Sequence, residues 1–166
     1  MVEAWTSKEN DMNDASRKRL TKVHPELAKR ATALIQALAK QGHTIEVVQG
    51  LRTFAEQDAL YAKGRTKPGQ IVTNAKGGHS NHNFGLAVDL APFVAGKPQW
   101  NDKAGFIRIG AEAAKHGLEW GGNWKKLIDK PHVQLPGLTT AQCLAHFKKG
   151  GLKKVWASVP GVPPPL

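Results

Sequence analysis

The clearest periodic pattern in the chain is a stripe of apolar residues that follows Pro25 at helical spacing and stops at Gly42. Proline suits the first turn of a helix, where its missing N–H removes no hydrogen bond, and glycine favours the end of one. We therefore predict a long helix whose inward face belongs to the core. The stripe consists of Leu27, Ala31, Leu34, Ile35 and Leu38.

Shorter signals surround this helix. Asn13 or Asp14 can cap a short helix that precedes it. Residues 44–49 are rich in branched side chains and predict a strand. Thr53 is followed three residues later by Glu56, which is the pattern of a capping box and predicts a further helix.

Glycine and proline divide the second half of the chain into shorter elements. Residues 65–78 have few large apolar side chains and predict a surface loop. A strand is predicted at 84–90, a helix behind Asn101 that Gly117 ends, and another helix at about 140–149. Because no internal repeat or linker interrupts these elements, the pattern predicts one domain.

Composition agrees with one globular domain. The 166 residues suffice for a single core, and with 40% hydrophobic and 22% charged residues no apolar run approaches the roughly 20 residues of a membrane helix. Residues 1–14 lack the apolar region of a secretory signal, so we expect synthesis in the cytoplasm. The one cysteine, Cys143, excludes an internal disulfide and a multi-cysteine zinc site. A metal site here would therefore use histidine and carboxylate.

The chain is strongly basic, with 24 Lys and Arg against 13 Asp and Glu and a formal net charge of +11. This balance favours an anionic partner, and nucleic acid, an anionic membrane surface and bacterial wall polymer all qualify. No acidic residue follows Asp129, whereas lysines do. The basic end could dock on an anionic surface, or it could form a helix that closes the core with its lysines in solvent.

His82 and Asp89 lie in a segment of mostly small and apolar residues. Removing a carboxylate from water is costly unless a cation compensates, and a bound zinc ion would supply that cation. The alternative is a buried aspartate that pairs with arginine or lysine.

Asp129 and His132 form a second acid–histidine neighbourhood, with Pro131 between them. Because the residue before a proline is held extended, the two side chains are displayed in a set relation at the start of a strand. One metal ligand and one base could then converge on the same ion, where a carboxylate takes the proton of an attacking water. Taken alone, His132 fits an ordinary strand histidine; the combination with His82 and Asp89 indicates a metal hydrolase.

Several short motifs occur in a fixed order between residues 15 and 136. They are Gly50-x-Arg52-Thr53, Glu56-Gln57, Tyr61, Gly64-Arg65-Thr66, Ser80-x-His82-x-x-Gly85-x-Ala87-x-Asp89, Trp120-Gly121-Gly122 and Asp129-x-Pro131-His132-x-Gln134. In this order and spacing the chain resembles the bacteriophage L-alanyl-D-glutamate endopeptidases, endolysins of the zinc D-alanyl-D-alanine carboxypeptidase clan. The resemblance implies an α+β fold, a single domain in which a small antiparallel sheet and flanking helices surround a zinc site.

The same resemblance implies a function and a set of site residues. The function is hydrolysis of the bond between L-Ala and D-Glu in peptidoglycan stem peptides, which lyses the host cell. The implied site has one Zn²⁺ ion held by His82, Asp89 and His132, with Asp129 as the general acid and base. Arg52 is implied as a cation that faces the substrate or the developing oxyanion, although it could instead pair with a structural acid.

The roles of other side chains stay open at this stage. Ser80 and Gln57 could bind substrate, or they could cap turns and helices. Tyr61 could line the site or pack on the helix behind it. Trp120 and Trp124 are expected in the core rather than in a cleft.

Two other functions fit parts of the sequence. A D-Ala-D-Ala carboxypeptidase or dipeptidase would use the same metal site on a different bond, and a non-catalytic basic wall-binding module would use zinc structurally. Asp129 stands where a catalytic acid is needed, and a structural zinc normally has four protein ligands, which argues against the second. A nucleic-acid partner is not expected, because the lysines are not interleaved with exposed aromatic residues.

The expected organisation has three segments: a flexible N-terminus at 1–12, a zinc peptidase domain at 13–137, and a basic C-terminal helical extension with a Pro-rich tail at 138–166. We expect a monomer that is made in the cytoplasm of the host bacterium and acts on the cell wall after release. Its basic end is the candidate contact with an anionic envelope surface.

Overall fold

The apolar stripe after Pro25 forms the inward face of helix α2 (Pro25–Lys40) in the computed structural model, which describes residues 12–165. Every residue of the stripe is buried, so the predicted helix and its core face are confirmed. His24 caps the helix, because its Nδ1 atom accepts a hydrogen bond from the Glu26 backbone N–H at 3.0 Å.

The described residues contain four further α-helices, two short 3-10 helices and five strands. The helices are α1 (Asp14–Leu20), α3 (Phe54–Ala62), α4 (Lys103–Lys115) and α5 (Thr140–Ala157), and the 3-10 helices are Asn81–Phe84 and Gly121–Asn123. The strands are β1 (Thr44–Gln49), β2 (Ala87–Val94), β3 (Lys97–Pro98), β4 (Glu119–Trp120) and β5 (His132–Gln134).

The strands form one antiparallel sheet in the order β1-β2-β5-β4, and β3 pairs with the far end of β2. Helices α2 and α4 pack on each other and against the sheet. The core lies between these helices and the sheet. Strand β2 is central, and its Asp89 pairs with His132 of β5. The predicted α+β fold with a small antiparallel sheet is confirmed.

The strand predicted at 84–90 begins later than the sequence indicated. Ser80 caps a 3-10 helix instead, and Gly85 then takes a left-handed conformation (φ 66°) that ends it. A strand cannot pass through that turn, so β2 starts at Ala87 and continues to Val94. His82 therefore lies on a helical turn that precedes the strand.

Helix α4 also begins one residue later than predicted. Its N-cap is Asp102 and not Asn101, because the Asp102 carboxylate accepts a hydrogen bond from the Gly105 backbone N–H at 2.9 Å. Its predicted inward residues Phe106, Ile109 and Ala113 are buried.

Helix α5 is longer than predicted and bends at Gly150 and Gly151, whose backbone is not helical. Beyond the bend, Val155 is buried and Trp156 Nε1 donates a hydrogen bond to the Phe84 carbonyl at 2.7 Å. The end of the chain thus closes the core beside the first 3-10 helix. Its exposed lysines are Lys148, Lys149, Lys153 and Lys154.

The N-terminal segment predicted to be flexible lies outside the described residues except for Met12, which is buried against the core. None of the described helices is both long and apolar enough to cross a membrane.

Candidate metal centre and cleft

A cleft of about 1210 Å³ is lined in part by residues of strands β2, β5 and β4. Its lining includes His82, Asp89 and His132. Side chains of the 65–78 loop line one part of it, and Trp124 and Leu127, from the segment before β5, line another. The predicted surface loop therefore borders the predicted site.

Three candidate ligands converge in this cleft. Asp89 and His132 stand opposite each other on neighbouring strands, and His82 reaches them from the 3-10 helix. His82 Nε2 lies 3.1 Å from Asp89 Oδ1, and His132 Nδ1 lies 3.7 Å from the same oxygen. One ligand atom from each residue lies within 4.8 Å of the others. The structure thus brings together the three residues that the resemblance implied.

The hydrogen bond made by His82 Nδ1 determines which nitrogen of the ring carries the proton. His82 Nδ1 lies 2.9 Å from the Gly50 carbonyl oxygen, which can only accept a hydrogen bond, so Nδ1 carries the proton. In the neutral ring, Nε2 therefore presents a lone pair to Asp89.

His132 is held in the same way through its other nitrogen. Its Nε2 atom lies 2.7 Å from Gln134 Oε1, and the Gln134 amide N–H donates to Glu119 at 2.9 Å. Gln134 therefore turns its oxygen to His132, and Nε2 donates to it. The Nδ1 lone pair of His132 then faces Asp89 at 3.7 Å and Asp129 at 3.8 Å.

The pKa values of His132 and Asp89 favour the protonation states that bind a cation. Burial, together with the neighbouring His82, lowers the pKa of His132 to about 4, so the ring is neutral at physiological pH. Burial alone would raise the pKa of Asp89, but His82, His132 and Arg52 together hold it below its usual range. One proton cannot satisfy two inward imidazole lone pairs and a carboxylate, whereas a divalent metal ion can. Two nitrogens and one oxygen form a donor set that suits zinc.

Asp129 lies beside this cluster at the end of the segment before β5. Its backbone N–H donates to the Gly121 carbonyl at 3.0 Å, and its carboxylate lies 3.8 Å from His132 Nδ1. Burial and the negative charge of Asp89 raise the pKa of Asp129 to about 6. Near neutral pH this carboxyl group can therefore both accept and release a proton.

Arg52 lines the same cleft with a largely buried guanidinium group. Its Nη1 donates to Gln57 Oε1 at 2.7 Å, and its Nη2 lies 4.0 Å from Asp89 Oδ2. Gln57 is fully buried and also donates to the Ala75 carbonyl at 2.9 Å. Because a side chain without exposure cannot contact substrate, we propose that Gln57 supports Arg52 and does not take the role in substrate binding that the sequence left open.

Ser80 and Tyr61 both reach the cleft. Ser80 Oγ accepts a hydrogen bond from the His82 backbone N–H at 3.3 Å, so it caps the turn that carries the histidine. Tyr61 stacks under the Arg65 guanidinium, whose carbon lies 3.9 Å from the ring centre, and Arg65 donates to the Thr73 carbonyl at 3.0 Å. This contact ties the 65–78 loop to α3.

The two tryptophans differ from each other in position. Trp120 packs against the core as expected, and its Nε1 donates to the Lys130 carbonyl at 2.6 Å. Trp124, which was also expected in the core, lines the cleft with its ring centre 4.8 Å from that of His132.

Asn81 and Gln134 also line the cleft, and no role was predicted for them from the sequence. The alternation of His132 and Gln134 along one strand was the signal that could have indicated the second of these.

Comparison with known proteins agrees with this geometry. The profile of a peptidase family described as D-alanyl-D-alanine carboxypeptidase matches residues 73–135, which include all three candidate ligands. The peptidoglycan L-alanyl-D-glutamate endopeptidase CwlK of Bacillus subtilis (strain 168) is 41% identical over 122 residues, covering 68% of this chain and 73% of that protein. The chain belongs to this peptidase family. The predicted membership is thereby confirmed, and with it the prediction of a metallopeptidase.

Two further relatives carry the same kind of name. The L-alanyl-D-glutamate peptidase of Escherichia phage T5 is 34% identical over 106 residues, covering 64% of this peptidase and 71% of that protein. The crystal structure of the Serratia marcescens L-Ala D-Glu endopeptidase ChiX matches with a TM-score of 0.58 and 28% identity, over 75% of this peptidase and 90% of that chain.

Proposed function

We propose that this peptidase hydrolyses the bond between L-alanine and D-glutamate in the stem peptides of peptidoglycan, with one zinc ion held by His82, Asp89 and His132. The observation that carries the proposal is the convergence of two imidazole lone pairs and a carboxylate beside Asp129, in an open cleft. The choice of bond is supported by relatives at 41% and 34% identity that are named for cleaving it.

The donor set leaves room for catalysis, because three protein ligands are typical of catalytic zinc sites and four of structural ones. Zinc bound there would polarise a peptide carbonyl and make water a stronger nucleophile. Asp129, whose carboxylate lies 3.8 Å from His132 Nδ1, would take the proton of the attacking water and pass it to the departing amine. Arg52 supplies positive charge at the cleft floor, where it would stabilise the developing oxyanion.

We further propose that the enzyme acts as an endolysin. The similarity to a phage enzyme supports this role, and the proposal has the protein reach the wall from the host cytoplasm and lyse the cell. The exposed lysines of α5 are the proposed contact with the anionic envelope.

Mass spectrometry of muropeptides before and after digestion of purified peptidoglycan tests the proposed bond. The expected products carry a new N-terminal D-Glu without released D-Ala, and a chelator should abolish their formation until zinc is restored. Released D-Ala would instead establish the D-Ala-D-Ala carboxypeptidase that the family description favours. A protein that keeps zinc but cleaves nothing would be a binding module.

A pair of histidine variants tests the ligand set. His82→Ala should lose zinc in elemental analysis, whereas His79→Ala should keep it, since His79 is exposed on the same cleft but outside the ligand cluster. Equal zinc content in the two variants would contradict the proposed ligands.

A further inference from the structure

Gln134 is the centre of a hydrogen-bond network beside the candidate ligands. Its Oε1 oxygen accepts from His132 Nε2 at 2.7 Å and from Asn81 Nδ2 at 2.8 Å. Its amide nitrogen donates to Glu119 Oε2 at 2.9 Å. Both groups of the amide are therefore used, and their partners determine which way the amide faces.

The sheet holds this network in place. His132 and Gln134 alternate with Val133 along β5, so their side chains share one face, and Glu119 stands opposite Gln134 on β4. Glutamate can only accept hydrogen bonds when ionised, so it selects the amide nitrogen and leaves the oxygen for His132. If the oxygen and nitrogen of the Gln134 amide exchanged places, the amide N–H groups would face the N–H of His132 Nε2 and the N–H of Asn81, and neither contact would be a hydrogen bond.

A neutral imidazole can carry its proton on either nitrogen, and only one of these forms presents Nδ1 to Asp89. The ordered oxygen of Gln134 selects that form and also fixes the plane of the ring. Resting on the proposed function above, we propose that Gln134, oriented by Glu119, is the positioning residue that holds His132 ready to bind the metal ion. Partners of this kind typically change metal affinity or activity by about 10–100-fold when they are lost.

Three variants test this assignment. Gln134→Leu removes the acceptor at similar size. The double variant Gln134→Glu with Glu119→Gln exchanges the two groups, so that a carboxylate accepts from His132 and Asn81 and an amide N–H lies opposite it on β4. Gln99→Leu makes the same single change at a glutamine whose amide donates to the nearby Lys97 carbonyl, away from the cleft, and serves as the control.

Two measurements are made on each variant. Competition with a chromophoric chelator gives the affinity for Zn²⁺, and the ring ¹⁵N signals of His132 in the metal-free protein show which nitrogen carries the proton. We expect Gln134→Leu to bind Zn²⁺ about 10–100-fold more weakly and to mix the two proton positions. The double variant should regain most of the affinity and the single proton position, and Gln99→Leu should match the unmodified protein.

Unchanged Zn²⁺ affinity and unchanged ring signals in Gln134→Leu would overturn the assignment while leaving the zinc site intact. A double variant that is no better than Gln134→Leu would also overturn it, because the exchange preserves the acceptor. Failure of the unmodified protein to bind Zn²⁺ would instead overturn the proposed function itself. Thermal melting of every variant separates these outcomes from a loss of folding.

Discussion

At the scale of single residues, Asp129 lies close to His132 but is not one of the three candidate ligands, whose donor atoms all lie near one another. Asp129→Asn should therefore keep its zinc and lower kcat by about 10²–10⁴-fold, because it removes a proton acceptor and not a ligand. Elemental analysis and muropeptide hydrolysis measure the two effects. Asp14→Asn, on the exposed first turn of α1, is the matched control. An Asp129→Asn enzyme with undiminished kcat would show that another group moves the proton.

The pKa of Asp129 gives a second residue-scale prediction, for the metal-free protein. Burial and Asp89 raise this pKa from 3.8 to about 6, so between these values the folded state binds more protons than the unfolded state. The contribution of Asp129 to stability must therefore fall as the pH rises through that range. ¹³C NMR titration of the carboxyl group should give a midpoint near the raised value, and Asp89→Asn should lower it by removing a nearby negative charge. A midpoint at the ordinary value would contradict this account.

At the scale of elements, the last turns of α5 support the turn that carries His82. Trp156→Phe removes the hydrogen bond to the Phe84 carbonyl and leaves a buried acceptor unpaired, which should lower Tm by roughly 2–8 °C. The control is Trp100→Phe, because Trp100 is 55% exposed. Differential scanning calorimetry of the two variants checks the prediction. Equal Tm values would mean that the end of α5 is not part of the cooperative unit.

Elements defined by local signals could be predicted from the sequence. Strand β1 has the predicted bounds, and the capping box of Thr53 and Glu56 forms as expected. The turn at Asn81–Phe84 was missed although Ser80 and Asn83 form a local capping box and Gly85 ends the turn. The turn also depends on a distant contact, since the Asn83 side chain donates to the Arg52 carbonyl at 3.0 Å. Periodicity along one segment carries no information about such a partner.

The same distinction applies to the site. The candidate ligands came from matched motifs, since spacing alone does not reveal that Asp89 and His132 are paired across two strands. The prediction that Trp124 lies in the core was wrong. Aromatic character indicates burial, but the conformation of the segment that carries Trp124 decides whether the ring faces the core or the cleft. Gln57 was open between two roles, and its burial depends on Arg52 and Ala75, which no local pattern connects to it.

At the scale of the whole molecule, positive charge extends over an end of the chain that lies outside the cleft. Replacing the four exposed lysines of α5 by glutamine should weaken binding to phosphatidylglycerol vesicles by about tenfold or more, because each lysine near an anionic surface contributes about 1 kcal/mol. Hydrolysis of a soluble muropeptide should be unchanged, since none of these lysines lines the cleft. Vesicle co-sedimentation at low and high salt measures the binding, which salt should screen.

The control removes the same charge from another surface. Four exposed lysines of the N-terminal half serve this purpose: Lys18, Lys22, Lys29 and Lys40. If both quadruple variants lose the same binding, net charge and not the α5 surface is responsible, and the proposed envelope contact is wrong.

The pairing of Asp89 with His132 has a practical consequence for anyone who produces this protein. A slip of one residue between β2 and β5 would turn one of the two side chains to the opposite side of the sheet, where it could not share an ion with the other. Under the proposed ligand set, only molecules with the native alignment can retain zinc. The zinc-to-protein ratio of a purified batch therefore reports its folding yield, and a refolding protocol can be optimised against that ratio before any substrate is available.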